Sequence, residues 1–238
     1  MTDPGAPRPT PFPRALLELE TETAARRLLG ARLVRGSGPD ARRGRIVEVE
    51  AYIGQNDLAS HARFGRTKRN AIMFGPPGVA YVYLVYGMHH CLNVVTEPDG
   101  TAAALLIRAV EPIAGPDEMR EARLRSAVDR LGRRDEAAAE QARSRIAAMP
   151  AARLAAGPAL VCAAFSVSRA DGGVDLCDPV SELRLETAPD EIAPAVRTGP
   201  RVGIDYAPEP WRGRPWRFFV PGSPALSMPS DVGRRVAG

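Results

Sequence analysis

Two stretches constrain this chain more than any other: Arg45 to Tyr52 (R-I-V-E-V-E-A-Y) and Tyr81 to Asn93 (Y-V-Y-L-V-Y-G-M-H-H-C-L-N). The first alternates with a period of two, the pattern of a strand whose faces meet different surroundings. Val47, Val49 and Ala51 are expected on one face, with Glu48, Glu50 and Tyr52 on the other. Around the second stretch, Val79 to Tyr86 and His89 to Thr96 read as the arms of a β-hairpin with Gly87 at its turn. A two-residue turn at Gly87-Met88 would oppose Tyr86 to His89 and send Tyr83 and Asn93 to opposite faces. A three-residue loop or a bulge would bring those two together. Four of the five tyrosines lie in these stretches, in a chain only 5% aromatic. Flat rings gathered beside paired carboxylates suit a planar ring substrate. A solvated strand face could carry Glu48 and Glu50 equally well, and the continuation of that face into Tyr52 weighs against it.

The remaining segments place these strands in a fold. Residues 1–13 carry five prolines and a glycine and read as a mobile arm, with one domain over 14–238. From Arg14, leucines and alanines at three- and four-residue spacing predict a helix ending at Gly30, and Ala31 to Arg35 predicts a strand antiparallel to Gly44–Tyr52. Gly54 to Met73 reads as a loop with a basic end, and Ala102 to Val110 as a buried strand whose Arg108 needs a partner. Pro116 to Leu131 and Asp135 to Met149 look like solvent-facing helices. Gly157-Pro158 opens another helix that buries Leu160, Val161 and Phe165. Short strands are expected at Leu183 to Glu186, Arg201 to Tyr206 and Arg217 to Val220. Strands mixed with unevenly placed helices imply an α+β domain: a curved, antiparallel-rich sheet with a protruding β-hairpin and surrounding helices.

At 238 residues, 45% hydrophobic and 25% charged, the chain is neither disordered nor membrane-embedded in composition. An excess of 32 Lys and Arg over 28 Asp and Glu leans weakly towards a polyanionic partner. Three cysteines (Cys91, Cys162, Cys177), without C-x-x-C or a histidine cluster, favour neither disulfides nor a metal site. With no P-loop and no G-x-G-x-x-G, no cofactor is expected. No apolar stretch is long enough to span a bilayer, and a cytoplasmic, membrane-free location is expected.

The motifs, taken together, have a family likeness. V-E-x-E-A-Y with His61 eleven residues after Glu50, R-N-x-x-M-F (Arg69 to Phe74), Y-V-Y-x-x-Y-G-M-x-x-C-x-N and L-I-R-A-x-E-P (Leu106 to Pro112) occur in order. Looser matches follow in G-P-x-x-x-C (Gly157 to Cys162), R-V-G-I (Arg201 to Ile204) and R-F-F-V-x-G-S-P (Arg217 to Pro224). This array resembles the alkyladenine (3-methyladenine) DNA glycosylase family over roughly residues 20 to 225. Two departures are visible: Leu160 stands where the family usually has a lysine, and I-D-Y-A-P-E-P-W replaces a glycine- and histidine-containing segment.

The resemblance implies a base-excision-repair enzyme acting on damaged double-stranded DNA as a monomer, associated with the nucleoid through its substrate. By position, Glu50 resembles the general base that activates water for attack on the sugar C1′, with Arg108 and the Val202 backbone carbonyl helping to hold that water. Tyr52, His61 and Tyr83 correspond to the walls of a base pocket, and Asn93 to the residue that hinders guanine through its 2-amino group. Tyr86 corresponds to the side chain intercalated into the duplex, supported by Met88 or Met73. Arg63, Arg66, Lys68 and Arg69 are candidate contacts to the DNA backbone. Physical chemistry is compatible with these roles: extrusion of a base leaves a gap to be filled, and a cationic alkylpurine is attracted to aromatic faces by about 0.5–2 kcal/mol. No lysine lies in the core motifs, which favours simple hydrolysis over a Schiff-base lyase step. The competing reading is a non-catalytic nucleic-acid-binding module using stacked tyrosines. It leaves Glu50 without a purpose.

Overall fold

The computed structural model describes residues 10–131, 135–188 and 193–228. Its strands are β1 (Arg32–Arg35), β2 (Arg42–Ile53), β3 (Ala80–Val85), β4 (His89–Val95), β5 (Ala103–Ala114), β6 (Leu183–Glu186), β7 (Arg197–Gly199) and β8 (Arg217–Phe219). Its α-helices are α1 (Thr21–Leu28), α2 (Pro116–Leu131), α3 (Glu136–Ala147) and α4 (Pro158–Ala164). One sheet runs in the order β3-β4-β5-β2-β1-β6, with β8 also paired to β2 and β7 to β8. Every strand pairing is antiparallel. The α+β class expected from the sequence is what forms, and the V-E-V-E strand is its hub, bonded to β1, β5 and β8.

The predicted alternation along β2 fails at one place, and the failure shapes the site. Ile46 pairs with Val110 and Glu48 with Ala109, so Val47 is an extra residue; the next pair, Val49 with Ile107, leaves Arg108 extra on β5. Such bulges reverse which face a side chain takes. Ile46, Val49 and Ala51 therefore enter the main core with Leu105 and Ile107. Val47, expected beside Val49, instead packs on a separate cluster with Ala109, Phe219 and Ala225.

The hairpin resolves the question of its turn. Val85 pairs with His89, Tyr83 with Cys91 and Tyr81 with Asn93, so the loop is the three residues Tyr86-Gly87-Met88. Tyr86 (φ 52°) and Gly87 (φ 69°) are both left-handed, a conformation uncommon for a residue like tyrosine. With this register Tyr81, Tyr83, Cys91 and Asn93 share one face.

Elsewhere the helices differ in detail from expectation. The helix expected from Arg14 is broken into a 3-10 turn, Arg14–Leu16, and α1, which buries Ala24, Ala25 and Leu28. Gly30 (φ 92°) follows it, and its N–H donates to the Ile46 carbonyl. The arm expected over 1–13 is not mobile at its end: Phe12 is buried, and its amide donates to the Leu185 carbonyl beside β6. Residues 1–9 lie outside the described residues. α2 and α3 face solvent on one side only, since Met119, Ala122, Arg123 and Ile146 are buried. α4 opens at Gly157-Pro158 and buries Val161 and Cys162, with Phe165 buried just beyond it, but Leu160 is only half-buried. Arg201 to Tyr206 is an irregular loop, not a strand, because Gly203 turns the chain with φ 77° and the Arg201 side chain is drawn to Asp57.

Candidate active site

Where the bulged centre of the sheet meets the hairpin, a cavity of about 540 Å³ opens. β2 supplies Tyr52, β3 Tyr81 and Tyr83, β4 Cys91 and Asn93, and β5 Leu106 and Arg108. His61 and Met73 come from the loop after β2, and Val202, Ile204 and Tyr206 from the loop that precedes β8. A cavity of this volume falls within the range of small-molecule sites.

Glu50 stands directly behind this wall and is fully buried. The three groups that touch it all line the cavity. Tyr52 donates its hydroxyl to Oε2 at 3.0 Å, the Val202 amide donates to Oε1 at 2.6 Å, and Arg108 Nη1 lies 3.3 Å from Oε2. The sequence reading involved Val202 through its carbonyl; the contact formed here is through its N–H. Burial drives the Glu50 carboxyl above the ordinary range, and Arg108, the Val202 amide and the Tyr52 hydroxyl offset this only in part.

Glu48, two residues earlier on the same face, has a different fate. Its Oε1 accepts from Arg108 Nε (3.0 Å), Arg217 Nε (2.8 Å) and the Ser227 hydroxyl (2.7 Å), and its Oε2 from the Ser227 amide (2.7 Å). Burial opposes ionisation here too, but Arg108, Arg217 and Ser227 outweigh it and hold the carboxyl below its usual range. Arg108, expected to need a partner inside its strand, has two.

The aromatic wall is built from edge-to-face contacts. His61 meets Tyr83 at 4.5 Å between ring centroids with the planes 80° apart, and its Nδ1 lies 3.0 Å from the Tyr81 hydroxyl. Burial, reinforced by Arg69 and Arg63, lowers the imidazole to about 4, so it is neutral at pH 7. Asn93 is buried, its amide nitrogen fixed on the Tyr81 carbonyl at 3.0 Å. Burial places the Tyr81 phenol at about 12 and the Cys91 thiol at about 11, both uncharged at neutral pH.

The candidate DNA-facing residues divide. Tyr86 is 86% exposed and Met88 51%, both on the three-residue loop, and Tyr86 also borders the cavity. Met73 is buried in a cluster with Phe74 and Tyr81 and is a wall of the cavity, not a projecting group. Arg66, Lys68 and Arg69 are exposed; Arg69 leans over the Tyr83 ring and donates to the Leu84 carbonyl at 3.2 Å. Arg63 is half-buried, held between the Phe64 and Tyr206 rings at 4.4 and 5.4 Å.

Several residues of the site were not singled out from the sequence. Tyr206 lies in the segment that departs from the family pattern, borders the cavity and donates its hydroxyl to the Ala59 carbonyl at 3.0 Å. Asp57 and Arg201 form a fully buried bidentate pair (2.6 and 2.9 Å) tying the loop after β2 to the Val202 loop, with Arg201 also stacked on Tyr52 at 4.7 Å. Asp57 stood out only as the one acid in a basic loop, and nothing in the sequence marked it as buried. Ser227 carried no signal.

Comparison with known proteins supplies a family. The family model for methylpurine-DNA glycosylase (MPG) matches residues 15–224. A protein of Myxococcus xanthus is 44% identical over 211 residues, covering 89% of this chain and 90% of its own length. One from Methanocella arvoryzae is 43% identical over 227 residues (93% and 98%), and one from Anaeromyxobacter dehalogenans 45% over 222 (92% and 87%). All three are named, provisionally, 3-methyladenine DNA glycosylase. With a family match across most of its length and relatives this similar, the chain belongs to the methylpurine-DNA glycosylase family.

Proposed function

We propose that this DNA glycosylase extrudes an alkylated or deaminated purine nucleotide from the duplex and hydrolyses its N-glycosidic bond with a water activated by Glu50. The observation that carries the reading is Glu50 itself: a buried carboxylate of raised proton affinity, held by Arg108, Val202 and Tyr52 at the wall of an aromatic cavity. A carboxylate oxygen can accept two hydrogen bonds. Oε1 accepts one from the Val202 amide, which leaves capacity for a water. A base with a pKa nearer the working pH takes a proton from that water more readily.

Tyr52, His61 and Tyr83 enclose the extruded base, and a neutral His61 does not repel a cationic alkylpurine. A 2-amino group would press on Asn93, which cannot swing away while its amide is held by the Tyr81 carbonyl. Tyr86, exposed and presented by a left-handed loop, fills the vacated stack with Met88 beside it. The substrates on this reading are 3-methyladenine, 7-methylguanine, hypoxanthine and ethenoadenine in duplex DNA. The enzyme acts as a monomer and without a lyase step. A stacking groove without chemistry gains nothing from a buried carboxylate of raised proton affinity. The test is release of free base from duplexes carrying each lesion, with borohydride present in a parallel reaction. Base release without a trapped covalent adduct is expected; no release from any lesion, or a trapped adduct, contradicts the reading.

A further inference from the structure

Glu48 is fully buried and does not itself line the cavity; among its partners only Arg108 does. Its four hydrogen bonds come from three separate elements: Arg108 of β5, Arg217 of β8, and Ser227 of the segment after β8. The guanidinium is a rigid planar fork, so fixing Nε fixes the directions of both terminal nitrogens. With Arg108 Nε on Glu48 at 3.0 Å, its Nη2 is aimed at the Ser227 hydroxyl (3.2 Å) and its Nη1 lies against Glu50 (3.3 Å). The β5 bulge at Arg108 is what allows one side chain to meet two carboxylates.

We propose that Glu48 is a positioning residue for the hydrolytic centre: it locks the Arg108 guanidinium through Nε and takes up part of its charge, leaving Glu50 as the reactive member of the pair. This rests on the reading of Glu50 as the base. Glu50 faces Glu48 and Tyr52 from its own strand, Arg108 from β5 and the Val202 amide from the loop before β8, with Tyr83 and Cys91 across the cavity. Among these, the Glu48 charge acts with burial to keep the proton on Glu50, while Arg108 acts against it. Glu48 can hold that charge permanently because Arg217 and Ser227 stabilise it from the side away from the cavity. A carboxylate left alone with Arg108 would become a weaker base.

The test compares full-length wild type with Glu48→Gln by two readouts. Carbon-13 NMR of glutamate-labelled protein follows the titration of Glu50, assigned with Glu50→Gln, and does not depend on activity. Single-turnover excision across pH follows the consequence. In Glu48→Gln the Glu50 titration moves to lower pH by about one unit, as loss of a neighbouring like charge requires. The excision plateau falls roughly ten- to a hundredfold, the scale of misplacing a catalytic group. An unmoved titration in the folded variant overturns the proposal, and so does a moved titration with unchanged excision. Arg217→Gln serves if Glu48→Gln does not fold: Arg108 is then drawn towards Glu48, and the Glu50 titration moves to higher pH; no movement overturns the proposal there too. Should the wild type release no base at all, the glycosylase reading fails, while the NMR titration still decides whether Glu48 sets the state of Glu50.

Discussion

Glu48 and Glu50 belong to one strand, point to the same side of the sheet and share Arg108, yet they occupy two unlike regions. Around Glu48, β5, β8 and the segment after β8 close over the carboxylate with two arginines and the amide and hydroxyl of Ser227. Around Glu50 there is one arginine, one amide and one phenol, and all three belong to residues that line the cavity. Both are fully buried, so burial alone cannot separate them. What separates them is compensation: the first is held ionised, the second is pushed towards its neutral form. On the proposed function, two titratable groups driven apart in this way divide into a structural charge and a working one.

The largest effect should come from neutralising the working side. Glu50→Gln keeps the shape of the side chain but removes the proton acceptor, and single-turnover excision is expected to fall by about 10²–10⁴-fold, with lesion binding by gel shift retained. Stability should move the other way. A carboxyl whose folded pKa is raised contributes stability below its unfolded pKa and loses it as pH rises through the folded value. At neutral pH Glu50→Gln should therefore melt no lower than wild type; a clearly lower Tm would mean that the Glu50 charge is structural after all.

Neutralising Glu48 should show the mirror image in stability. Its folded pKa is lowered, so its contribution is present above the unfolded value and is lost as pH falls through the folded one. Glu48→Gln leaves two buried arginines short of a partner, and breaking such a pair costs about 3–5 kcal/mol. Urea denaturation at pH 7 should register that loss, and the gap from wild type should close as the pH is taken below about 4. A gap that persists in acid would place the loss in packing instead of charge.

Much of this contrast was legible in the sequence, but only as far as period two could carry it. The V-E-V-E pattern placed Glu48 and Glu50 on one face, and a lone arginine in an apolar strand announced a partner. Neither the bulges at Val47 and Arg108 nor the reach of Ser227 could be read, because both depend on the register between distant segments. The hairpin shows the same boundary: its face was decided by a loop of three residues, which a Gly-Met turn leaves open. Arg201 to Tyr206 looked like a strand because its apolar residues alternate, and the turn at Gly203 overrode that pattern.

Smaller effects are expected at the rim proposed to face DNA. Tyr86→Ser should slow excision of hypoxanthine from a well-paired duplex by an amount equivalent to a few kcal/mol, and far less opposite a mismatch or in a single strand. Single-turnover rates on the three substrates check this; equal losses on all of them would remove the intercalation role. Among the basic residues, exposed Arg66 and Lys68 should each lower the salt slope of duplex binding by about one unit when changed to alanine. Arg63, held between Phe64 and Tyr206, should lower it less. Fluorescence anisotropy at several salt concentrations separates them, and a slope unchanged by any of these variants would take the loop out of the DNA contact.

On the proposed function, Glu50 works as a base because its site leaves it under-compensated. The most direct test of this is the pH dependence of single-turnover excision by wild type and Glu50→Gln on one lesion duplex. Wild-type excision should rise with pH through a single limb whose midpoint lies above the ordinary glutamate value of about 4.3, and this limb should be absent from the slow residual rate of Glu50→Gln. A wild-type midpoint at or below that value, or a Glu50→Gln enzyme that keeps the limb at near wild-type rate, would contradict it.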